Sequence, residues 1–178
     1  MSSYRFFSNK DHELYTFDYT SLYNRISHLL HPKENNYLSI ESISEFKLLA
    51  HKYPFFNSEI SLFRVVDNLS VGSSWPIHID IGRRSCLNIP IYNCTSASTT
   101  YFYSQPNPFV NSFDVHYQYK ISLVKGPLTV IDKFCLLEPT LISTEIPHSV
   151  ENLSSKSRII LSWGSMFNLD QLAEKLSI

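Results

Sequence analysis

From about Ile60 onward, the chain is a succession of short runs rich in β-branched and aromatic residues, separated by Gly, Pro, Asn and Ser. Such runs are typical of strands in a sandwich or barrel, because these side chains fit a pleated, half-buried surface and the separating residues favour turns. About eight strands are predicted: Ser61–Val66, Trp75–Ile81, Ser85–Tyr92, Thr99–Ser104, His116–Val124, Leu128–Ile131, Thr140–Thr144 and Arg158–Trp163.

Helical patterns flank these strands. After a strand-like stretch at Leu14–Phe17, apolar residues recur at helical intervals across Tyr19–Leu30. A second helix is predicted to begin at an N-cap at Ser39 and to end before Pro54, and Asn168 is predicted to cap a short C-terminal helix. Helices followed by a run of strands indicate a mainly β fold with helices packed against one sheet.

The pattern predicts a single domain over residues 1–178, with a helical N-terminal support at 1–59, a β-barrel core at 60–165 and a C-terminal helix at 166–178. A length of 178 residues is enough to bury a core without disulfides. The three cysteines lack the spacing of a zinc site, so we expect free thiols in a reducing, cytoplasmic compartment.

Charge and hydropathy limit the expected partners. The 15 basic and 16 acidic residues give a net charge of -1, which provides no basic footprint for a nucleic-acid backbone. No apolar run reaches 18 residues, so no membrane span is predicted. A small-molecule or peptide substrate is therefore expected, and the sequence does not indicate an oligomeric state.

Strict alternation marks the segment Pro76–Ile81. On a strand, His78 and Asp80 lie on one face and the three isoleucines of the segment lie on the other. The isoleucine face is predicted to pack under the N-terminal helices, so the imidazole and the carboxylate point into the barrel mouth. An unpaired inward carboxylate is costly, and a bound divalent cation removes that cost.

A second alternating strand, Arg158–Trp163, places Arg158 and Ser162 on the face opposite Trp163. An inward arginine requires an anion. His148 precedes Arg158 by ten positions and lies far along the chain from Asp80. Two histidines and one carboxylate from separated strands make a facial triad, which leaves open positions on Fe(II) for O₂ and substrate chemistry.

The segments His78-Ile79-Asp80 and Pro147-His148-Ser149-Val150, with Arg158 ten residues after His148, resemble the 2-oxoglutarate/Fe(II) oxygenase superfamily, including its small bacterial and viral members. The resemblance covers roughly residues 61–164. It implies a double-stranded β-helix, which is a jelly-roll or cupin-like barrel. It also implies Fe(II) bound by His78 and Asp80 on the second core strand and by His148 on the seventh, O₂ as a cosubstrate, and Arg158 holding the C5 carboxylate of 2-oxoglutarate.

Four further residues are candidates for contact with the cosubstrate. Many members of the superfamily have Ser or Thr two residues after the arginine, where this chain has Ile160, and Ser162 on the same face is a candidate replacement. Arg84 and Asn88 follow the His-x-Asp segment, although a solvent-facing Arg and a turn-forming Asn remain open alternatives. Tyr101 lies on a predicted strand and is either a cosubstrate contact or a core aromatic.

The prediction is a 2-oxoglutarate- and Fe(II)-dependent dioxygenase that hydroxylates a small polar substrate, such as an amino acid or an amino-acid side chain in a peptide. Two alternatives stay open: a metal-binding cupin-like barrel without 2-oxoglutarate chemistry, and a non-catalytic ligand-binding module. The carboxylate of Asp80 favours hydroxylation over halogen transfer. Substrate choice is expected to lie in the loops at Asn93–Ser98 and Gln105–Asp114.

Overall fold

The computed structural model describes residues 2–7, 9–29, 36–40, 48, 51–65, 75–104, 111–114, 121–124 and 126–178. Three α-helices are described, together with a 3-10 turn at Ser27–Leu29: α1 (Glu13–Thr16), α2 (Tyr19–Ile26) and α3 (Leu169–Lys175). The strands described are β1 (Tyr4–Phe6), β2 (Asn36–Ile40), β3 (Phe56–Val65), β4 (Trp75–Asp80), β5 (Ser85–Tyr92), β6 (Ser98–Ser104), β7 (Asn111–Asp114), β8 (Ile121–Val124), β9 (Thr129–Cys135), β10 (Thr140–Ser143), β11 (His148–Asn152) and β12 (Arg158–Ser165).

The strands form two six-stranded antiparallel sheets. The first sheet has the order β1-β10-β5-β12-β3-β2, and the second has the order β7-β8-β4-β11-β6-β9. Most strands that follow one another in sequence alternate between the sheets, as from β3 to β6 and again from β9 to β12. This alternation gives a jelly-roll-like arrangement and confirms the prediction of a mainly β fold with few helices.

The helices pack on the outer face of the first sheet. Ile159, Leu161 and Trp163 of β12 lie in one buried cluster with apolar residues of α1, α2 and α3. The ring of Trp163 stacks on Phe56, with centroids 4.3 Å apart. The alternation of β12 therefore turns its other face, which includes Arg158, toward the space between the sheets.

The C-terminal helix matches its prediction. The side chain of Asn168 accepts a hydrogen bond from the Gln171 amide at 2.9 Å, and Gln171 bonds back to the Asn168 amide at 3.1 Å, which forms a capping box. Its apolar face is buried against the first sheet. The residues of that face are Leu169, Leu172, Ala173 and Leu176.

Two local predictions near the N-terminus are wrong. Leu14–Phe17 overlaps the helix α1 and is not a strand, because His12 caps that helix by accepting from the Leu14 amide. Ser39 lies within the strand β2 and so does not cap a helix. Most of the helix predicted after Ser39 falls outside the described residues, although Leu48, His51 and Lys52 are helical.

The sequence pattern also missed the strands β1, β2, β7 and β11. The strand β1 has only three residues, and β11 reads His-Ser-Val-Glu-Asn, so neither shows the run of β-branched residues that indicates a strand. Among the described helices, none is long and apolar enough to cross a membrane.

The predicted environment of the isoleucines around His78 is also wrong. The helices cover the first sheet, whereas these isoleucines belong to β4 and its end in the second sheet. Ile77 and Ile79 are only partly buried, and Ile81 is 36% exposed. The alternation identified two faces correctly, but it could not identify which sheet the helices cover.

Candidate metal centre

Two adjacent strands of the second sheet bring three potential ligands together. His78 and Asp80 lie on β4, and His148 is paired directly across from His78 on β11. The imidazole centroids of the two histidines are 4.4 Å apart. One ligand atom from each of the three residues lies within 4.8 Å of the others, so the His-Asp-His cluster is able to hold a metal ion.

Backbone carbonyls fix the orientation of both imidazoles. His78 Nδ1 lies 2.7 Å from the Pro76 carbonyl oxygen, and His148 Nδ1 lies 2.9 Å from that of Ile146. Because a carbonyl oxygen only accepts, each Nδ1 carries a proton, and each Nε2 is the nitrogen left to bind a metal. His78 Nε2 lies 3.5 Å from Asp80 Oδ1, so this nitrogen is directed into the cluster.

Burial and charge set the protonation of His148 and Asp80. Burial lowers the pKa of His148 to about 4, and the neighbouring His78 adds to this shift. The imidazole of His148 is therefore neutral at pH 7. Burial by itself raises the pKa of Asp80, but the guanidinium of Arg83 and the neighbouring histidines outweigh it and hold that pKa well below its ordinary value. An ionised carboxylate beside a neutral imidazole suits a divalent cation.

The metal cluster borders a cavity between the two sheets. This cavity has about 530 Å³ of space free of protein atoms when the open solvent at its mouth is counted. His78 and His148 line one side of it. Polar side chains from other strands and from the β4–β5 turn complete the wall, among them Arg83, Asn88, Thr100, Arg158 and Ser162.

Arg158 is the most unusual group in this wall. The residue is 2% exposed, and its Nε and Nη1 atoms have no hydrogen-bond partner among the described residues. Burial lowers the pKa of Arg158, and the nearby Cys94 thiol offsets part of the shift. A guanidinium nevertheless stays protonated in proteins. A buried cation with two unsatisfied nitrogens therefore faces a cavity that is able to hold an anion.

Asn88 and Ser162 line the same cavity as this cation. They are directly paired across β5 and β12, and both are buried. Ser162 follows Arg158 by two strand repeats on the same face. Their predicted contacts with a bound anion stay a prediction.

The structure does not bring Tyr101 into the cavity. Its side chain is only partly buried, and its hydroxyl donates to Glu151 at 3.0 Å. The alternation of β6 turns Thr100 and Phe102 inward instead. Thr100 lines the cavity and was not identified from the sequence.

Nor does the structure bring Arg84 into the cavity, since its side chain is 45% exposed and its Nε donates to Glu145 at 2.9 Å. The preceding residue, Arg83, is the one that faces the site. Its Nε donates to Asp80 Oδ2 at 2.7 Å, and its Nη1 donates to the Ser162 hydroxyl at 3.2 Å. Sequence analysis missed Arg83.

No protein-family model and no curated protein matches the chain. Among solved structures, it is similar to ycfD of E. coli, with a TM-score of 0.47 and 13% identity over 83% of this chain and 38% of ycfD. It is also similar to a cupin superfamily protein of Desulfitobacterium hafniense, with a TM-score of 0.33 and 17% identity over 80% of this chain and 88% of that one.

A third similar structure is peruvianin-I, a cysteine peptidase from Thevetia peruviana latex, with a TM-score of 0.36 and 15% identity over 79% of this chain and 70% of the peptidase. The chain spans well under half the length of ycfD. Because all three TM-scores lie below 0.5, these likenesses do not distinguish between functions. The geometry of the site is the basis for the proposal that follows.

Proposed function

We propose that the protein is a dioxygenase that depends on Fe(II) and 2-oxoglutarate and has a double-stranded β-helix fold. The His-Asp-His cluster on β4 and β11 would hold the iron, since imidazole nitrogens and a carboxylate suit Fe(II). Strand order supports this. Counted along β3–β6 and β9–β12, the cluster lies on the second and seventh strands, which are the positions that the superfamily resemblance implies.

The observation that carries the proposal is the unsatisfied guanidinium of Arg158. A metal site alone gives no reason for a buried arginine in the same cavity with two nitrogens that lack partners in the described part of the chain. A dicarboxylate with one end at the metal would bring its other carboxylate to that guanidinium, whose planar fork matches a carboxylate. Ser162 and Asn88 would provide further hydrogen bonds to the same group.

When bound, iron and 2-oxoglutarate would supply the activation of O₂ and the oxidation of a substrate C–H bond. The chain's own residues position these groups and limit the access of water. The apolar side chains of Ile142, Val150 and Ile160 line the same cavity as the metal cluster and Arg158. They would keep this space dry and strengthen the electrostatic contact with the carboxylate.

The first test is spectroscopic. Under anaerobic conditions, Fe(II) and 2-oxoglutarate together are expected to produce the weak visible charge-transfer band of the chelate. Glutarate, which lacks the keto oxygen, is the matched control and is expected to give no band. A cupin-like metal site without this cosubstrate, or a non-catalytic binding module, predicts no band with either compound, and that result would reject the proposal.

The proposed substrate is a small polar molecule, such as an amino acid or an amino-acid side chain in a peptide. It rests on the balanced charge of the chain, which offers no basic channel for a nucleic-acid backbone. Succinate formation is expected to rise with free amino acids or oligopeptides and to stay at its basal level with single-stranded oligonucleotides. Stimulation by oligonucleotides alone would contradict this substrate class.

A further inference from the structure

Arg83 joins the metal cluster to the strand that carries the anion site. It lies in the turn between β4 and β5, and its side chain is 12% exposed. Its Nε donates to Asp80 Oδ2 at 2.7 Å, while Nη1 donates to the Ser162 hydroxyl at 3.2 Å. One guanidinium thus bridges a carboxylate of the second sheet and a hydroxyl of the first sheet.

This bridge distinguishes the two oxygens of Asp80. Oδ2 is occupied by the short contact with Arg83, whereas Oδ1 lies 3.5 Å from His78 Nε2 and faces the cluster. Without Arg83, rotation about the terminal bond of Asp80 would present either oxygen, or both, to a metal. We propose that Arg83 is a positioning residue that holds Asp80 so that Oδ1 alone binds the metal, and that its contact with Ser162 anchors this arrangement to β12.

Two effects of Arg83 on a bound cation oppose each other. Its positive charge repels a divalent ion, so simple electrostatics expects tighter metal binding when the charge is removed. Its hydrogen bond orients the carboxylate, so a positioning role predicts weaker metal binding when it is removed. The sign of the change in metal affinity therefore separates a positioning role from a merely repulsive charge.

The test is a titration of the protein with Co(II) alone, in which the visible absorption of the bound Co(II) reports binding. Arg83→Gln is expected to weaken Co(II) binding by about 10- to 100-fold, the range found when a contact that orients a ligand is lost. The Co(II) spectrum is expected to change as well, because a freed Asp80 alters the coordination geometry. Weaker binding together with an altered spectrum supports the proposal.

Two further variants are expected to have intermediate effects on Co(II) binding. Arg83→Lys keeps the charge and one donor but lacks the planar fork, so it is expected to recover part of the affinity and part of the wild-type spectrum. Ser162→Ala removes only the anchor and is expected to weaken Co(II) binding less than Arg83→Gln does. If Arg83→Gln does not fold, as judged by circular dichroism, the same comparison is made with these two variants.

Arg84→Gln is the matched control, because Arg84 is adjacent in sequence and its guanidinium contacts Glu145 instead. Its affinity and spectrum are expected to equal those of the wild type. Binding by Arg83→Gln that is as tight as or tighter than wild type, or weaker with an unchanged spectrum, overturns the inference. The inference rests on the metal site of the proposed function, whose own failure would appear separately as a wild-type protein that binds no Co(II).

Discussion

Asp80→Asn is expected to abolish turnover and to weaken Fe(II) binding by more than about 100-fold. This loss exceeds the one expected when only a residue that orients a metal ligand is removed. The amide oxygen of Asn has the shape of the carboxylate but no formal charge, so the cluster loses its one anionic ligand. The amide oxygen still accepts a hydrogen bond from Arg83. The variant is therefore expected to fold.

The surroundings of Asp80 make Asn a better substitution than Ala. From the sequence, Asp80 was placed at an open barrel mouth, where truncation leaves the fold intact. In the structure it is 9% exposed and paired with Arg83. Removing one partner of a buried ion pair costs roughly 3–5 kcal/mol of unfolding free energy. Asp80→Ala would therefore combine loss of metal binding with loss of stability.

Anaerobic Fe(II) titration measures the affinity of Asp80→Asn, and circular dichroism checks its fold. Asp170→Asn is the matched control, since Asp170 pairs with Arg5 on the surface and is about half exposed. Its Fe(II) affinity and turnover are expected to match the wild type. An Asp80→Asn protein that keeps wild-type Fe(II) affinity would show that the metal does not bind at this cluster.

The sequence predicted β4 and β12, two of the strands that carry the site, because their alternation is clear. In Arg158–Trp163, both polar residues have the same parity, and the structure turns them to the face opposite Ile159, Leu161 and Trp163, as expected. The strand β6 offers no such contrast, because Thr100, Tyr101 and Phe102 all suit either face. The choice of Tyr101 over Thr100 could not be made until packing fixed the register.

The choice between Arg83 and Arg84 illustrates a different limit. Arg84 has the same parity as Asn88, so extending the alternation of β5 backward assigns it to the cavity. The strand begins only at Ser85, and the turn before it contains Gly82 with a φ of 89°, a left-handed conformation that breaks the parity. The alternation of side-chain directions holds only within the strand. The direction of a side chain in the turn can therefore be known only from the structure.

Arg158→Met is expected to abolish the response to 2-oxoglutarate while making the ligand-free protein more stable. Met is unbranched like the stem of the Arg side chain, is shorter than Arg, and has no donor to satisfy. Since Nε and Nη1 of Arg158 are buried without partners among the described residues, the substitution removes a penalty on the order of 1–3 kcal/mol. Arg158 would thus lower the stability of the ligand-free protein while providing affinity for an anion.

Thermal unfolding with and without 2-oxoglutarate measures both effects. A ligand present at 100 times its Kd raises the free energy of unfolding by about 2.7 kcal/mol, so the wild type is expected to gain a measurable increase in Tm. Arg158→Met is expected to start from a higher Tm and to gain nothing. Arg158→Lys is expected to recover only part of the response, because Lys lacks the planar fork.

Metal affinity separates this role from that of the cluster. Arg158 is outside the His-Asp-His cluster, and its Nε and Nη1 have no hydrogen-bond partner among the described residues, so Arg158→Met is expected to bind Fe(II) nearly as the wild type does. Arg84→Met is the surface control and is expected to change neither property. A lower Tm for ligand-free Arg158→Met would show that the guanidinium has an internal partner. Equal losses of metal and 2-oxoglutarate affinity would argue against an anion site distinct from the metal. The proposal requires the metal to bind one end of the dicarboxylate and Arg158 to bind the other.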